Sequence, residues 1–582
     1  MTASRAIRLT SKLLVVLLAF SVVTSPQANS ASQPRKILTG WIPYYGMKTA
    51  LPAALNNADL IKEVMPFWYT LKYDGKTKAA YVSDLYATGN PSVPIATPLA
   101  AMRSAGFQII PTITDGMDKL VLANLLANAG NRTKIAKTIN DYVTANNFDG
   151  IDLDFEGFAF VDGNTTWAKT APLWVAFVKE LSALLHANNK LLSVSSPYNF
   201  NPAEKQKGYT VYAWPQIAPH IDRLRIMTYD YSVAKVGPIG PIAWTEKTVA
   251  YATSIMPASK VYVGIPAYGR DWITKVEGVC PAAFAKTIVV GGRAAFTMKD
   301  GVELSKIYGG APKYNEVIAE NSYVYKKTYT DPTNSAISCT ATRTTWYPDE
   351  RSFAVRAALV GKYRLGGVAI WTFGKETEEA ARAIKAAAQA IAPDVVVSAI
   401  STDLEQIGYG STFNLIGSFK LPDKTPIAGI PVRLEIKNST DSNWRTISAG
   451  ITDANGMIKV PAIVGEKSQI RLVSEGSWER LEGKSAEKSI AVAPSIAIQI
   501  PSSVKVNSNY QITGQIYPAA NSIPVTILRN GKAFGRFTTD ASGKFTFTLN
   551  EKEDGVSTFQ AEISANAKMN AGRSLPYPLL VR

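Results

Sequence analysis

Eight short apolar runs, separated by longer stretches with helical spacing, are the feature that most constrains how this 582-residue chain folds. The runs cover residues 37–45, 64–71, 107–114, 148–155, 191–197, 224–231, 261–268 and 367–372. Strands that alternate with helices in this way favour a parallel sheet covered by helices. Eight such strands within about 350 residues predict a (β/α)8 TIM barrel, an α/β fold, over residues 32–393.

The seventh and eighth runs are separated by about 100 residues, and both cysteines of the chain, Cys280 and Cys339, lie in this gap. We therefore expect a small α+β insertion, at about residues 273–350, between barrel strands 7 and 8. A disulfide between the two cysteines is permissible in an exported protein and would close a loop of about 60 residues. Two free, buried thiols are the alternative.

After residue 393 the helical spacing disappears and short alternating strands follow, separated by Gly, Asn, Asp and Pro. The sequence T-D-A-N-G at 452–456 returns as T-D-A-S-G at 539–543, about 87 residues later. Each copy follows a P-V-x-(L/I) strand, at 431–434 and 524–527, and the Asp-x-(Asn/Ser)-Gly element is a tight-turn signal. The pattern predicts two all-β, immunoglobulin-like sandwich modules at 394–493 and 494–582.

The first 31 residues have the layout of a secretory signal peptide. Arg5, Arg8 and Lys12 form a basic start, an apolar run follows at 13–23, and small residues lie at 28–31. The run is too short to span a bilayer comfortably, although an uncleaved membrane anchor is the alternative. We therefore expect a secreted, extracellular protein, with association with a cell wall as one option.

The formal net charge of +16 bears on the partners of the chain. A basic exported protein is attracted to anionic surfaces such as cell-wall polymers, and a charge that serves general solubility is the alternative. The Lys and Arg residues are scattered and no DNA- or RNA-binding motif is visible, so no nucleic acid partner is expected. Two His and two Cys residues argue against a His/Cys metal site. We expect a monomer that has no metal or cofactor.

Residues 148–156, F-D-G-I-D-L-D-F-E, hold the acids that point to chemistry. Side chains alternate between the faces of a strand, so Asp152, Asp154 and Glu156 share one face and the apolar residues between them share the other. In a barrel, the acidic face would line the interior near the carboxyl-end mouth, where active sites lie. Asp149 has the opposite parity and is expected to anchor the start of the strand.

Three carboxylates about 6–7 Å apart on one strand face are costly to ionise together, so the pKa of at least one of them should be raised. A carboxyl group that stays protonated near neutral pH can act as a general acid on a glycosidic oxygen. Glu156 is the last acid of the row and has the longest side chain, so we assign it this role. A polar, exposed strand edge is the alternative.

At these residues the chain resembles the family 18 glycoside hydrolases, which include chitinases and carry D-x-x-D-x-D-x-E on the fourth barrel strand. All four acids of the signature are present, as Asp149, Asp152, Asp154 and Glu156. Three further family motifs follow in order: M-x-Y-D at Met227, Tyr229 and Asp230, Y-G-R from Tyr268 to Arg270, and a tryptophan at the end of strand 8, Trp371. The resemblance covers residues 37–392, the first domain.

The resemblance implies substrate-assisted catalysis, in which the acetamido oxygen of the substrate attacks C1. Asp154 would orient the acetamido nitrogen, and Asp152 would share a proton or hydrogen bond with Asp154. Tyr229 would donate a hydrogen bond to the acetamido oxygen, and Trp371 would form a flat floor under the sugar. Glu156 would protonate the leaving group and then activate water, which implies retention of configuration. Tyr229 and Trp371 as plain core aromatics are the alternative.

The resemblance also supplies candidate substrate-binding residues: Asp149, Met227, Asp230, Tyr231, Trp371, Tyr44, Tyr268 and Arg270. Aromatic residues at or beyond strand ends could stack on sugars or pack in the core: Trp41, Tyr44, Tyr45, Trp68, Tyr198 and Trp244. The third strand reads P-T-I-T-D-G at 111–116, where typical chitinases carry S-x-G-G. Segments 237–244 and 268–272 are instead similar to a bacterial branch of N-acetylglucosaminidases that act on spore and cell-wall peptidoglycan.

The sequence therefore predicts a secreted, retaining glycosidase that cleaves β-1,4 linkages in polymers containing N-acetylglucosamine, either peptidoglycan or chitin. Two other classes stay open. One is a carbohydrate-binding, chitinase-like lectin on an inactive barrel, although such relatives usually lack the acid that is present here as Glu156. The other is a cell-surface adhesion protein whose function lies in the β modules.

Overall fold

The computed structural model describes residues 33–582, and the predicted signal peptide at residues 1–31 lies outside this part of the chain. Two compact units are present. The first comprises Pro34–Asp394 together with Glu475–Glu482, and the second comprises Val395–Ser474 and Gly483–Arg582. Within residues 33–582, no helix is both long and apolar enough to cross a membrane.

Eight parallel strands of the first unit close into a barrel, which confirms the predicted fold class. They are β1 (Leu38–Pro43), β2 (Glu63–Asp74), β3 (Thr112–Asp115), β4 (Gly150–Asp154), β5 (Leu191–Pro197), β6 (Arg223–Met227), β7 (Val261–Pro266) and β8 (Gly367–Trp371). Each strand pairs with its neighbours in sequence, and β1 pairs with both β2 and β8.

Two short additions extend the barrel sheet at β2. Ala79–Asp84 pairs antiparallel with β2, and Gln108–Ile109 pairs parallel with it. The predicted third strand, 107–114, is therefore split into Gln108–Ile109 and β3. Pro111 lies between the two pieces and has no N–H to donate to a neighbouring strand, which explains the break.

Helices cover the outside of the barrel. The longer ones are Met47–Asn56, Ala96–Ser104, Val121–Ala127, Ala129–Ala145, Trp167–Ala187, Ile242–Ile255, Glu350–Tyr363 and Glu378–Ala390. Single turns occur at Tyr86–Gly89, Gly157–Phe160 and Trp214–Ile217, and 3-10 turns at Tyr44–Gly46, Asn164–Thr166, Thr210–Tyr212 and Ala258–Lys260. Phe155 stacks on Phe177 of Trp167–Ala187 at 6.1 Å, so the apolar face of β4 packs outward as predicted and its acidic face is left for the barrel interior.

The insertion between β7 and β8 is a five-stranded antiparallel sheet with one helix, Met298–Tyr308. Its strands are Tyr268–Gly278, Arg293–Thr297, Lys313–Asn315, Glu320–Thr330 and Ser338–Tyr347. Cys280 and Cys339 form a disulfide, which confirms the pairing and excludes the alternative of two free thiols. The sheet begins at Tyr268, before the predicted start at 273, so the first insertion strand continues directly from the mouth of the barrel.

The second unit consists of strands only, in two halves with the same strand order. In the first half these are Val397–Thr402, Gln406–Gly408, Thr412–Lys420, Pro431–Asn438, Arg445–Ile451, Met457–Ile463, Ser468–Ser474, Gly483–Lys484 and Lys488–Ala493. In the second half they are Ser495–Gln499, Ser503–Val504, Asn509–Tyr517, Pro524–Arg529, Lys532–Thr538, Lys544–Asn550, Gly555–Ile563, Gly572–Arg573 and Tyr577–Val581. The immunoglobulin-like classification stays a prediction.

The repeated turn of the two halves has the predicted geometry. The carboxylate of Asp453 accepts hydrogen bonds from the backbone N–H groups of residues 455 and 457, and Asp540 accepts the same pair from residues 542 and 544. Gly456 and Gly543 follow at φ of 68° and 76°, in the left-handed region that glycine adopts without a steric penalty. The sequence repeat is therefore a structural repeat.

Candidate active site

The acids of β4 extend along its inward face to the carboxyl-end mouth of the barrel. Asp154 is the last residue of the strand, and Glu156 lies two residues beyond it, just before the short helix Gly157–Phe160. Both side chains line an open cavity of about 440 Å³. Asp152 is completely buried one step deeper in the barrel and does not line the cavity.

Neighbouring strands fill the hydrogen-bonding capacity of Asp152. Thr112 of β3 and Ser193 of β5 lie opposite Asp152 in the sheet register. Their hydroxyls donate to the Asp152 carboxylate at 2.9 and 2.5 Å, and Ser195 donates at 2.8 Å. The guanidinium of Arg225 lies 3.9 Å from the same carboxylate. Asp152 is therefore held as a fixed acceptor under the cavity floor.

A buried ion pair supports this arrangement from below, and the sequence analysis missed it. Arg225 of β6 is fully buried and donates to the Ser193 hydroxyl and to Glu63, the first residue of β2. Arg223 also donates to Glu63, at 3.1 Å. Arg225 has the same strand parity as Met227, so the alternation pattern could have placed it in the barrel interior.

Asp154 lies in a strongly electronegative environment. Burial and the negative charges of Glu156, Asp152 and Asp115 raise the pKa of Asp154 well above its ordinary value. Its Oδ1 atom is buried and accepts no hydrogen bond from the described residues. A carboxyl group in this state favours the protonated form and has an oxygen available to a ligand.

Asp115, the last residue of β3, positions Glu156, and the sequence analysis did not assign it a role. Its carboxylate accepts hydrogen bonds from the backbone N–H groups of Glu156 and Gly157, at 3.0 and 2.9 Å. A Cβ at position 157 would lie 2.4 Å from that carboxylate, so glycine is required there for this close approach. The sequence feature that could have identified Asp115 is an acid at the end of the third strand, whose sequence differs from that of typical chitinases.

Electrostatics at Glu156 favour a protonated carboxyl group near neutral pH. Burial, together with the negative charges of Asp115 and Asp230, raises the pKa of Glu156 to about 7. Burial also raises the pKa of Asp115 to about 6, against the opposing effect of the backbone hydrogen bonds that it accepts. Asp115 is therefore ionised over much of the range in which Glu156 titrates.

Replacement Asp115→Asn should move the pH dependence of any reaction that needs protonated Glu156. Without the negative charge, the carboxylate of Glu156 is less disfavoured and its pKa falls. Because a general acid must be protonated to act, the basic limb of the kcat/KM profile should move to lower pH. At about pH 8 the variant should be severalfold less active than the wild type, while the acidic limb changes less.

The profile is measured between about pH 5 and pH 9 on an N-acetylglucosamine oligomer. Asp141→Asn removes a carboxylate from the exposed face of Ala129–Ala145 and serves as the charge-matched control. If the basic limb of the kcat/KM profile lay at the same pH in Asp115→Asn and in the wild type, the charge of Asp115 would not control the pKa of Glu156.

The other walls of the cavity come from β6, β8 and the insertion. The lining residues are Trp41, Asp154, Glu156, Met227, Tyr229, Asp230, Tyr268, Arg270, Ala295, Phe296, Thr297, Asp300, Trp371 and Lys375. Six of the sequence-predicted substrate residues and catalytic partners are thus brought together with the acids: Met227, Tyr229, Asp230, Tyr268, Arg270 and Trp371. The structure also adds four insertion residues and Lys375, which the sequence analysis did not select.

Packing holds several of these side chains in place. Tyr268 and Arg270 both donate to Asp230, the latter at 2.7 Å. The ring of Trp371 is held edge-on by Trp41 and Phe67, with ring centroids 5.5 and 5.1 Å away. An aromatic ring fixed in this way can present a rigid apolar surface to a ligand.

Three residues grouped with substrate binding lie elsewhere. Asp149 precedes β4 at the opposite end from Glu156 and accepts a hydrogen bond from the Ile109 backbone at 2.7 Å, so it anchors the strand start. Tyr44 lies in the 3-10 turn after β1 and contacts Tyr45 at 5.2 Å. Tyr231 is half exposed and packs on Trp244 at 5.3 Å. The alternation of side chains along a strand does not predict how far along the barrel axis a side chain lies. Their positions along this axis separate these three side chains from the cavity.

The aromatic residues at strand ends divide between core and surface. Trp41 and Trp68 are fully buried, with Trp41 donating to Thr112 at 3.1 Å and Trp68 packed against Tyr86 at 4.6 Å. Trp244 is buried against Tyr198, whereas Tyr45 is 58% exposed. The core alternative therefore holds for Trp68 and Trp244, and of the six only Trp41 lines the cavity.

No group of three or more His, Cys, Asp or Glu side chains in residues 33–582 is arranged to hold a metal ion. The cavity wall presents carboxyl groups, two tyrosines, two basic side chains and aromatic surface. That combination suits acid–base chemistry on a polar ring substrate.

Comparison with known proteins agrees with this geometry. Residues 97–376 match the family model "Glycosyl hydrolases family 18". The barrel domain is therefore similar to the glycosyl hydrolases of family 18 over 280 of the 582 residues of the chain. The match includes the whole acid row, the M-x-Y-D segment and Trp371, and it ends just after Lys375.

Curated relatives of the barrel domain are distant in sequence. A Bacillus subtilis protein named as a sporulation-specific glycosylase is 24% identical over 268 residues, which are 45% of this chain and 56% of the relative. A Caenorhabditis elegans protein named as an endochitinase is 26% identical over 272 residues, 43% of this chain and 40% of the relative. The chain thus spans about half the length of these relatives.

Among solved structures, a chitinase from Chromobacterium violaceum superposes with a TM-score of 0.48 at 22% identity. The superposition covers 60% of this chain and 98% of the chitinase.

Proposed function

We propose that the barrel domain is a retaining glycosidase that cleaves β-1,4 linkages in polymers of N-acetylglucosamine-containing sugars, by substrate-assisted catalysis. The observation that carries this proposal is the convergence of Asp154, Glu156, Tyr229 and Trp371 on one open cavity. The match to the family 18 model supports the reaction class.

Glu156 is the general acid in this proposal. With its pKa raised to about 7, it is about half protonated at neutral pH and can donate to the leaving glycosidic oxygen. Once the bond is broken, the resulting carboxylate is the base that activates water. The position of Glu156 just past the end of β4 places it at the rim, where both the leaving group and water can reach it.

Asp154 and Tyr229 act on the acetamido group of the sugar at the cleavage point. The acetamido oxygen attacks C1 and forms an oxazolinium-type intermediate, so the protein does not need a nucleophilic carboxylate. The unpartnered Oδ1 of Asp154 accepts from the acetamido N–H, and the negative charge of Asp152 below it favours the protonated form of Asp154. The pKa of Tyr229 is raised well above its ordinary value, first by burial, so its hydroxyl stays protonated and donates to the acetamido oxygen.

We further propose secretion and action on a cell-wall or other extracellular polymer. The signal-like residues 1–31, the net charge of +16 and the disulfide between Cys280 and Cys339 support this location. The similarity to a protein named as a sporulation-specific glycosylase favours peptidoglycan, and the similarity to proteins named as chitinases favours chitin. In either case, the sugar at the cleavage point must carry an N-acetyl group.

Digestion of purified peptidoglycan glycan strands and of chitin oligomers, with product masses and early anomeric configuration recorded, tests the proposal. We expect cleavage with initial release of the β-anomer, because two inversions at C1 restore the starting configuration. A chemically deacetylated glucosamine oligomer is the matched control substrate and should resist cleavage. Inertness toward both polymers, initial release of the α-anomer, or equal cleavage of the deacetylated oligomer would each reject the mechanism.

A further inference from the structure

One cation in the cavity wall has no role in the chemistry above. Lys375 lies four residues after Trp371, on the loop that follows β8, and lines the same cavity as Glu156 and Trp371. The residue is half-buried. Across residues 33–582, no carboxylate lies within ion-pair distance of its ammonium, and burial alone lowers its pKa.

Apart from Asp154 and Glu156, the other charged groups of the cavity wall are already engaged. Arg270 pairs with Asp230 at 2.7 Å, and Tyr268 donates to the same carboxylate. Asp300 accepts a hydrogen bond from the Thr297 backbone at 3.1 Å and caps the helix Met298–Tyr308. Lys375 therefore presents a positive charge that the described residues do not compensate.

An ammonium that is partly removed from water without a carboxylate partner is costly, and the cost disappears when a bound anion supplies the partner. A neutral sugar polymer offers Lys375 no counter-charge. A polymer whose N-acetylated sugars carry carboxylates does.

We propose that Lys375 binds a carboxylate of the substrate and so selects an anionic N-acetylated glycan over neutral chitin. This inference rests on the proposed function, because it assigns a substrate class to the same cavity. In peptidoglycan the carboxylate has two possible sources: the lactyl group of every second sugar in peptide-free strands, or the stem peptide where one is attached. Both sources offer the same charge to Lys375.

The test compares kcat/KM on four substrates: chitin oligomers, peptide-free peptidoglycan oligomers, the same oligomers with stem peptides, and the peptide-free oligomers with their carboxylates methyl-esterified. We expect the wild type to prefer carboxylate-bearing oligomers over the esterified form. The kcat/KM of Lys375→Met on the charged substrate should fall about tenfold, as expected for loss of a hydrogen bond to a charged group. Its kcat/KM on chitin oligomers should change little. Lys375→Arg should restore most of the loss.

Lys169→Met removes one exposed positive charge on the helix Trp167–Ala187, outside the cavity, and should leave all four rates unchanged. Rising salt should weaken the preference of the wild type but not that of Lys375→Met. A preference confined to oligomers with stem peptides would identify the peptide as the source of the carboxylate, and a preference for peptide-free strands would identify the lactyl group.

Two results would overturn the inference and leave the proposed function intact. One is a wild type whose kcat/KM on chitin and esterified oligomers equals that on the charged oligomers. The other is a Lys375→Met variant whose kcat/KM falls by the same factor on all four substrates. Failure of the wild type on every substrate would instead reject the proposed function, and this inference with it.

Discussion

Replacement Glu156→Gln should lower kcat by about 10²- to 10⁴-fold, the range that general acid–base catalysis contributes. Glutamine keeps the size of the side chain and the backbone hydrogen bonds that Asp115 accepts at 156 and 157, but its amide has no acidic proton to transfer to a leaving oxygen. Because substrate contacts through Trp371 and Tyr229 remain, KM should change little. Steady-state kinetics on N-acetylglucosamine oligomers measure both constants.

Glu246→Gln is the matched control. Glu246 lies on the helix Ile242–Ile255, pairs with Lys362 and does not line the cavity, so its loss should leave kcat unchanged. If Glu156→Gln retained more than about one-tenth of the wild-type kcat, another group would have to be the general acid.

Stability supplies a second readout that separates loss of the acid from loss of the fold. The pKa of Glu156 is raised in the folded state, from 4.5 to about 7, so the folded protein binds a proton more tightly than the unfolded chain does. Its contribution to stability is therefore complete below about pH 4.5 and is lost as the pH rises through 7. Above that pH, Glu156→Gln should be more stable than the wild type by up to roughly 3 kcal/mol, and the difference should shrink in acid. A variant that is less stable at every pH would contradict this origin of the shift.

Replacement Glu63→Gln should lower the free energy of unfolding of the barrel by about 3–5 kcal/mol, the usual cost of removing one partner from a buried ion pair. Glu63 is completely buried and receives hydrogen bonds from both Arg223 and Arg225. Without the carboxylate, the guanidinium of Arg225 keeps its charge in a site closed to water. Its contact with Ser193 would then be strained, and the hydroxyl that donates to Asp152 would be less well placed.

Chemical denaturation followed by tryptophan fluorescence measures this effect. Asp141→Asn breaks the exposed pair with Lys137 and should cost at most about 1 kcal/mol, because water screens that pair. A joint change of Glu63 and Arg225 to methionine should recover part of the loss, since the fully buried charge of Arg225 is then removed and the remaining cation, Arg223, keeps some exposure to water. A Glu63→Gln variant as stable as the exposed-pair control would show that Arg225 finds another partner.

The local pattern of the sequence determined the fold and the chemical centre of this protein. A strand has a side-chain period of two, so the order of acidic and apolar residues at 150–156 already specified which face of β4 is acidic and which packs against helices. Apolar runs of strand length marked all eight barrel strands. The repeated Asp-x-(Asn/Ser)-Gly turns, which are closed by hydrogen bonds within a few residues, were equally readable.

Tertiary structure alone decided which distant side chains meet this centre. Closure of the barrel brings Glu63 of β2 against Arg225 of β6, Asp115 of β3 under the backbone of Glu156, and Lys375 of the loop after β8 into the wall of the cavity. The alternation of side chains along a strand predicts whether a residue faces the interior or the exterior of the barrel. It does not predict how far along the barrel axis the side chain lies, or which charged group from another strand faces it. For that reason Asp149, although part of the same signature, lies at the end of β4 that is far from the cavity and from any ligand bound there. Lys375 belongs to no motif, yet it lines the cavity from the loop after β8.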